Sequence, residues 1–451
     1  EGRINQNHQV VPTNFRRSEM EPTTTSRVVD KCQVCNHSDL KSILFVGYLP
    51  AVNTMPEINS TPCEQSAYPA NFLKCDHCGL FQLGLTVDSK ILFPPSYPYT
   101  SGTTKILRDN FAELHREVTS HFGINKKDFV VDIGSNDGTL LSNFHAAGHP
   151  VLGIEPTNAG LLAQKKEIPT IIRFFNEASV NEALKIGGKA KLVTAANCFA
   201  HIDDVHSVVK GVLKLLKNDG LFVTESHYVL PLIETVQYDT IYHEHLRYYS
   251  LQALENLFSG HGLEIIHVKE IPTHGGSIRV YASRKGTHPV QSSVQSQKLK
   301  EAKGLTDDAL ANFKKRVVQS KIDLYSLLKD IKARGKTVYG IGAPSRASTL
   351  INYVGLDDGI LDCVLEVSGS YKIGKYIPGT LVPVQEESRL YQDPPAYALL
   401  LSWHIADELI PKIRAKGFRG GFIVPLPSPR VYEAPRTQRS LTPELTLTSE
   451  A

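Results

Sequence analysis

The most constraining feature of this chain is a strand that runs straight into a glycine loop and a helix, and it occurs twice. "FVVDIGSNDGTLLSNFHAAG" begins at Phe129 and "KTVYGIGAPSRASTLINYVG" at Lys336. A short apolar run, a glycine turn and a helical pattern together open a βαβ unit. Further strand candidates follow each opening. "VLGIEP", "LVTAANCFAHI" and "GLFVTESHYV" come after the first, with "VHSVVKGVLKLLKNDG" as an amphipathic helix among them. "LEIIHVKEI" and "GSIRVYASRK" read as a terminal hairpin. "DCVLEVS", "YALLLSW" and "GGFIVPL" come after the second. The alternation predicts an α/β protein with mostly parallel, doubly wound sheets.

The two openings set the expected organisation of the 451 residues. Residues 1–30 read as a flexible segment and 31–95 as a small cysteine-bearing domain. A first α/β domain over 96–285 is entered through a helix in "TTKILRDNFAELHREVTSHFG". A second, over 286–430, begins with charged helix, and 431–451 is a flexible tail rich in Pro, Ser, Thr and Arg. No apolar run approaches the ~20 residues of a membrane span, and no secretory leader is visible in the polar first thirty residues. The formal net charge of +3 is too small to point to nucleic acid or a membrane surface. The expectation is a cytoplasmic, monomeric protein.

Four of the seven cysteines form two C-x2-C pairs, Cys32/Cys35 and Cys75/Cys78. Cys63, Cys198 and Cys363 are isolated. Four thiolates suit a closed tetrahedral site for one structural Zn2+. His37, His77 and Cys63 are alternative ligands, and chance pairs or redox thiols are the competing reading. No basic cluster surrounds the knuckles, which argues against a nucleic-acid role.

The first glycine loop carries the second signal. Asp132 ends a strand, and Gly134, Ser135, Asn136 and Gly138 lead into a helix, whose N-terminus favours an anionic group. Glu155 and Pro156 end the next strand, where a carboxylate can take both hydroxyls of a ribose. The loop is not G-x-G-x-x-G. It resembles the D-x-G-x-x-x-G form of class I methyltransferases, which implies S-adenosylmethionine as cofactor. Asn197 and Ala200 would then border the methyl group. His201 would face the cleft, although an ordinary loop or core histidine is its plainer reading. The third signal is "YDTIYHEHLRYYS", which gathers Tyr242, His243, Glu244, His245 and Arg247. Two imidazoles, a carboxylate and phenols suit proton abstraction. A metalloprotease H-E-x-x-H would need histidine where Arg247 stands.

With these parts in this order, the chain resembles the sugar C-methyltransferase family that acts on nucleotide-linked deoxysugars. The resemblance spans roughly residues 30–430. It rests on the four cysteines, "YPYTS", "DIGSNDGTLL", "IEP", "NCFAHI", "YDTIYHEHLRYYSL", "HGGSIR" and "GIGAPSRASTLINY". It implies a zinc-binding N-terminal domain, a central class I methyltransferase domain and a C-terminal Rossmann-like domain that helps hold the nucleotide sugar. It also implies an active site of Tyr97 or Tyr99, His201, Tyr242, Glu244 and His245, with His245 as general base. His243, Arg247, His274 and Gly275 are then candidates for the sugar, and Gly342 and Arg346 for the diphosphate. The chain departs from the family's pattern at Pro344-Ser345-Arg346, where a small residue and then Lys is usual. "EVSGSYKIGKYIPGT" also lacks an Asp-x-Asn-Pro before its lysine.

A carbon nucleophile must first become a carbanion, which a neighbouring ketone permits by forming an enolate. The implied substrate is a nucleotide-linked, in first instance dTDP-linked, 4-keto-6-deoxy sugar methylated at C3. His245 would take the C3 proton and Glu244 would orient it. His201 and Tyr242 would donate to the enolate oxygen. The competing readings are an O- or N-methyltransferase and a catalytically silent zinc scaffold or nucleic-acid binder.

Overall fold

A computed structural model describes residues 26–59, 65–93 and 101–433. Tyr97, Tyr99 and Cys63, and the greater part of the two terminal segments, lie outside the described residues. Three units are built around three larger sheets, and a fourth sheet of two strands pairs Arg27–Val28 with Leu85–Thr86.

The central sheet has seven strands. In spatial order they are Leu263–Ile271, Ser277–Arg284, Leu216–His227, Ala190–Ala196, Val130–Ile133, Val151–Ile154 and Thr170–Ile171. Ser277–Arg284 runs antiparallel to both neighbours, and the other contacts are parallel. The inner strands are buried almost end to end, as in a sheet covered on both faces. Successive strands turn outward in opposite directions from Val130–Ile133 and Ala190–Ala196. That reversal opens a crevice at their carboxyl ends. The helix Lys105–His121 covers one face with Leu107, Phe111, Leu114 and Val118, while Ile106 lies off that face and is exposed. The helix expected to run to Gly220 ends at Leu215. From Leu216 the chain is already extended, with a register irregularity before Leu221. Asn218, Asp219 and Gly220 are poor helix formers and suit such a bulge.

The C-terminal sheet repeats the plan. Its order is Val384–Glu386, Cys363–Glu366, Val338–Ile341, Tyr397–Leu400, Gly421–Val424 and Arg430–Tyr432. All are parallel except the last, which pairs antiparallel with Phe422–Val424. Regular structure therefore continues through Tyr432, past the point where the flexible tail was expected to begin. Two helices, Ser292–Gly304 and Asp307–Ala333, connect the two units.

The N-terminal sheet is antiparallel. Leu40–Pro50, Ala67–Cys75 and Phe81–Leu83 are joined at the edge by Arg247–Tyr248. Its fourth strand thus comes from the histidine-rich segment nearly 170 residues later in the chain, through the pairs Arg247↔Gln82 and Tyr248↔Phe81. Among the described residues no helix is long and apolar enough to cross a membrane.

Candidate active site

The crevice of the central sheet holds the first glycine loop. Gly134, Asn136 and Gly138 all take left-handed backbone angles, with φ of 66°, 50° and 75°. Gly134 is required twice over, because a Cβ there would collide with Cys198. Glu155 is buried at the end of its strand. One oxygen accepts from the Thr157 amide at 2.9 Å and hydroxyl at 2.6 Å, and the other from the Asn136 amide at 3.0 Å. Asp132 lies beneath, bonded by Thr194 at 2.6 Å. Burial pushes its carboxyl up to about 7 despite that bond, and the Glu155 charge pushes in the same direction. Asn197 closes the far side with φ 59° and its amide donates to the Glu225 carbonyl at 2.7 Å. A left-handed loop, a strand-end carboxylate and a helix N-terminus facing one crevice fit a cofactor with a ribose and a charged amino-acid part.

Beside this crevice five histidines gather: His201, His227, His245, His274 and His404. The ring of His245 lies 5.0 Å from His201, 5.3 Å from His227 and 4.3 Å from Tyr242. His245 Nδ1 is 2.9 Å from the Thr240 carbonyl. A carbonyl only accepts, so Nδ1 carries the proton and Nε2 keeps its lone pair. The same carbonyl takes the Tyr248 hydroxyl at 3.1 Å, and that hydroxyl accepts the Tyr242 amide at 3.2 Å. Leu246 donates its amide to the Ala200 carbonyl at 3.1 Å, which ties the His245 segment to the cofactor side. Burial lowers all five imidazoles, His201 to about 4 and His404 to about 2. They are neutral at pH 7. Four of them keep partial exposure, His245 being the most enclosed.

The remaining sequence candidates are distributed less simply. The orienting partner found for His245 is Thr240, where the sequence suggested Glu244. Neighbouring residues point apart, and Glu244 accepts from Asn53 Nδ2 at 2.7 Å. His243 turns towards the N-terminal sheet, donating through Nε2 to the Pro69 carbonyl at 3.2 Å and packing on Tyr68. Arg247 differs from its expected place at the sugar. It is buried, and its guanidinium donates to the carbonyls of Ile202 (2.6 Å) and Asp203, which fixes the loop after His201. His274 sits in a tight turn at φ 57°. Gly275 follows at φ 89°, and a Cβ there would strike Gln237, whose amide donates to the Gly275 carbonyl at 2.6 Å.

Arg346 also differs from expectation. Instead of standing free for a diphosphate, it is buried and forms a two-pronged pair with Asp239, at 2.7 and 2.8 Å, under the face of Trp403. Trp403 Nε1 donates to the same carboxylate at 2.8 Å. Asp239 belongs to the turn Tyr238–Thr240 that presents the His245-orienting carbonyl. The C-terminal unit therefore clamps the segment that carries the cluster. Arg346→Ala should leave Asp239 buried with a single donor, and a loss of about 3–5 kcal/mol is expected. A urea titration checks this, and unchanged stability would mean that the pair contributes nothing to the clamp.

A free cation does lie at the second glycine loop. Lys372 donates to the Ala343 carbonyl just before the helix Ser345–Val354 and has no ion-pair partner among the described residues. Burial lowers its ammonium, while the charges of Glu366 and Glu244 pull the other way. Gly342, at φ 79°, shapes the same loop. His227, His404, Thr240 and Lys372 thus join the candidate site. Thr240 and Lys372 lie in stretches already noted in the sequence, without a role there. His227 ends a strand whose apolar run drew attention away from it, and His404 needs the tertiary fold to be found.

The two cysteine knuckles meet. Cys32 and Cys78 Sγ are 3.4 Å apart, Cys35 and Cys75 3.6 Å, and all four lie within 4.8 Å of one another. A tetrahedral zinc with ~2.3 Å bonds needs sulfur–sulfur edges of about 3.8 Å. Each knuckle closes on a left-handed residue, Asn36 at φ 61° and Gly79 at φ 76°.

Comparison with known proteins agrees with this layout. Residues 106–268 match a methyltransferase domain family, and residues 272–427 match a family described as the C-methyltransferase C-terminal domain. Over 416 residues the chain is 32% identical to the C-methyltransferase NovU of Streptomyces niveus, covering 91% of this chain and 99% of that protein. The chain belongs to the sugar C-methyltransferase family. It is a methyltransferase dependent on S-adenosylmethionine that acts on carbon. Among solved structures, the magnesium protoporphyrin IX methyltransferase of Synechocystis is 14% identical, with a TM-score of 0.31 over 40% of this chain and 79% of that one. The PH0226 protein of Pyrococcus horikoshii is 12% identical, with 0.32 over 44% and 98%. At that level of likeness these structures add nothing to the site. In this C-methyltransferase, the glycine loop and Glu155 are groups whose chemistry fits the cofactor.

Proposed function

We propose that this C-methyltransferase methylates C3 of a dTDP-linked 4-keto-6-deoxy sugar through an enolate, with His245 as the base. The observation that carries the reading is the state of His245. Its Nδ1 is held by the Thr240 carbonyl, its Nε2 keeps a lone pair, and its segment is hydrogen-bonded through Leu246 to Ala200 beside the cofactor crevice. S-adenosylmethionine supplies the electrophilic methyl group. Nε2 removes the C3 proton. His201, neutral and next to His245, and Tyr242 donate to the enolate oxygen as charge develops. Tyr97 or Tyr99 completes the sugar subsite. An O- or N-methyl acceptor would leave the histidine cavity without a task.

On this reading the diphosphate lies at the N-terminus of Ser345–Val354 with Lys372, not Arg346, as its cation. Lys372→Ala should then raise KM for the nucleotide sugar about 10–100-fold, the equivalent of one charged hydrogen bond, with kcat nearly unchanged. An unaltered KM would remove Lys372 from the diphosphate subsite. The four cysteines hold one structural Zn2+, and the three units correspond to domains over 31–95, 96–285 and 286–430.

The reaction is tested by mass spectrometry in heavy water. dTDP-4-keto-6-deoxyglucose and its 3-amino and 2-deoxy relatives are incubated with the enzyme and S-adenosylmethionine. One carbon-bound methyl with the C3 hydrogen lost is the expected product. Methylation on oxygen or nitrogen, with C3 hydrogen retained, would overturn the enolate reading.

A further inference from the structure

His227 is the last residue of the central strand Leu216–His227, at the carboxyl end of the sheet. Its ring lies 5.3 Å from His245, at 72° to it, and 6.2 Å from His274. At that separation facing ring edges are within reach of one hydrogen bond or one bridging water. Its Nδ1 is buried without a hydrogen-bond partner, yet the residue keeps partial exposure. The charged and titratable groups that bear on it are His245, His274, Arg346 and His404. It therefore faces the proposed base on one side and His274 and His404 on the other, with no carboxylate among the described residues to hold it in place.

The chemistry proposed above leaves a proton behind. The C3–H bond breaks and its electron pair becomes the enolate. The C3–CH3 bond forms as the sulfur–methyl bond breaks, and the ketone returns. One proton then remains on His245 Nε2. It cannot leave through Nδ1, which is committed to the Thr240 carbonyl. The base must lose it before another cycle can start. His201, whose Nδ1 also lacks a partner, and Tyr242 are assigned to the enolate on this reading, which leaves His227 as the neighbouring imidazole with an unused nitrogen for this proton.

We propose that His227 relays this proton from His245 to solvent. It is a positioning residue for turnover, since it acts through His245 and not on the sugar. The resting imidazole is neutral because burial disfavours its charged form, so it can accept. The inference rests on the reading of His245 as the base.

The test compares wild type, His227→Gln, His227→Ala and His245→Gln, with dTDP-4-keto-6-deoxyglucose and its 3-amino and 2-deoxy relatives as probes. Thermal melting and S-adenosylmethionine binding serve as controls for folding. For His227→Gln, methylation in the first turnover should stay within about threefold of wild type. Steady-state turnover should fall about tenfold or more, towards the roughly 10^2–10^4-fold range for loss of a proton-transfer group. Exchange of the C3 hydrogen with heavy water in the absence of cofactor should fall in parallel. Added imidazole should recover turnover in His227→Ala. An equal loss in first and later turnovers, unchanged exchange or absent rescue would overturn the relay. Should His245→Gln keep exchanging C3 hydrogen, or wild type fail to exchange it with any probe, the base assignment itself falls and takes the relay with it.

Discussion

Replacing His245 with glutamine is expected to lower methyl transfer by about 10^2–10^4-fold, the usual worth of a positioned general base. Affinity for S-adenosylmethionine should be unchanged. Glutamine can still offer an N–H towards the Thr240 carbonyl, so the turn around it need not collapse. It has no basic nitrogen to replace Nε2. Gly134, Asn136 and Glu155, the groups proposed for the cofactor, lie after the strands Val130–Ile133 and Val151–Ile154, on other elements than His245. Steady-state assays beside calorimetric titration of the cofactor separate the two effects. Turnover within tenfold of wild type would sink His245 as the base, and weakened cofactor binding would mean that the substitution had disturbed the crevice.

Cys75→Ser, or removal of metal by a strong chelator, is expected to abolish activity although the knuckles lie outside the histidine cavity. Structural zinc can contribute about 10 kcal/mol or more to folding of its unit. That unit's sheet takes Arg247–Tyr248 as its edge strand, and Tyr248 bonds the carbonyl that orients His245. Loss of the metal should therefore reach the active site through two residues of backbone pairing. Metal analysis, activity and near-ultraviolet circular dichroism of the variant check this. A metal-free protein with full activity would show that the four cysteines do not support the site.

Both α/β units were legible in the sequence because their strands are continuous apolar runs and their loops carry glycine where φ is positive. Gly134 and Gly342 mark the two crevices. The cysteine pairs were legible because identical knuckles repeat. The N-terminal sheet was not legible. Leu40–Pro50 contains two register shifts against Ala67–Cys75, one of them at Gly47, and these break the period-two pattern by which a half-buried strand is recognised. Of the site, "YHEH" was visible as chemistry but not as geometry. Glu244 and His245 are adjacent in sequence, so a pairing between them was the natural expectation. The backbone turns one towards Asn53 and the other towards Thr240. Arg346 reads as a cation for a phosphate until the fold brings Asp239, more than a hundred residues earlier, against it. Such partners are matters of tertiary contact and leave no local signal.

The clamp of Arg346 and Trp403 on Asp239 has a consequence for how the enzyme comes into being. The carbonyl that sets the tautomer of His245 sits on a turn held by side chains near the far end of the chain, while its neighbour Tyr248 is stitched into a sheet made from the beginning. During synthesis the central unit can close its own sheet before residue 403 has emerged, but the turn at Tyr238–Thr240 then lacks its anchor. On the proposed reading, His245 takes its final orientation once the last α/β unit has docked on that turn. Catalytic competence is therefore a late event in the life of each molecule, and a truncated chain or a nascent one can carry every residue of the histidine motif and still lack the arrangement that gives the motif its chemistry.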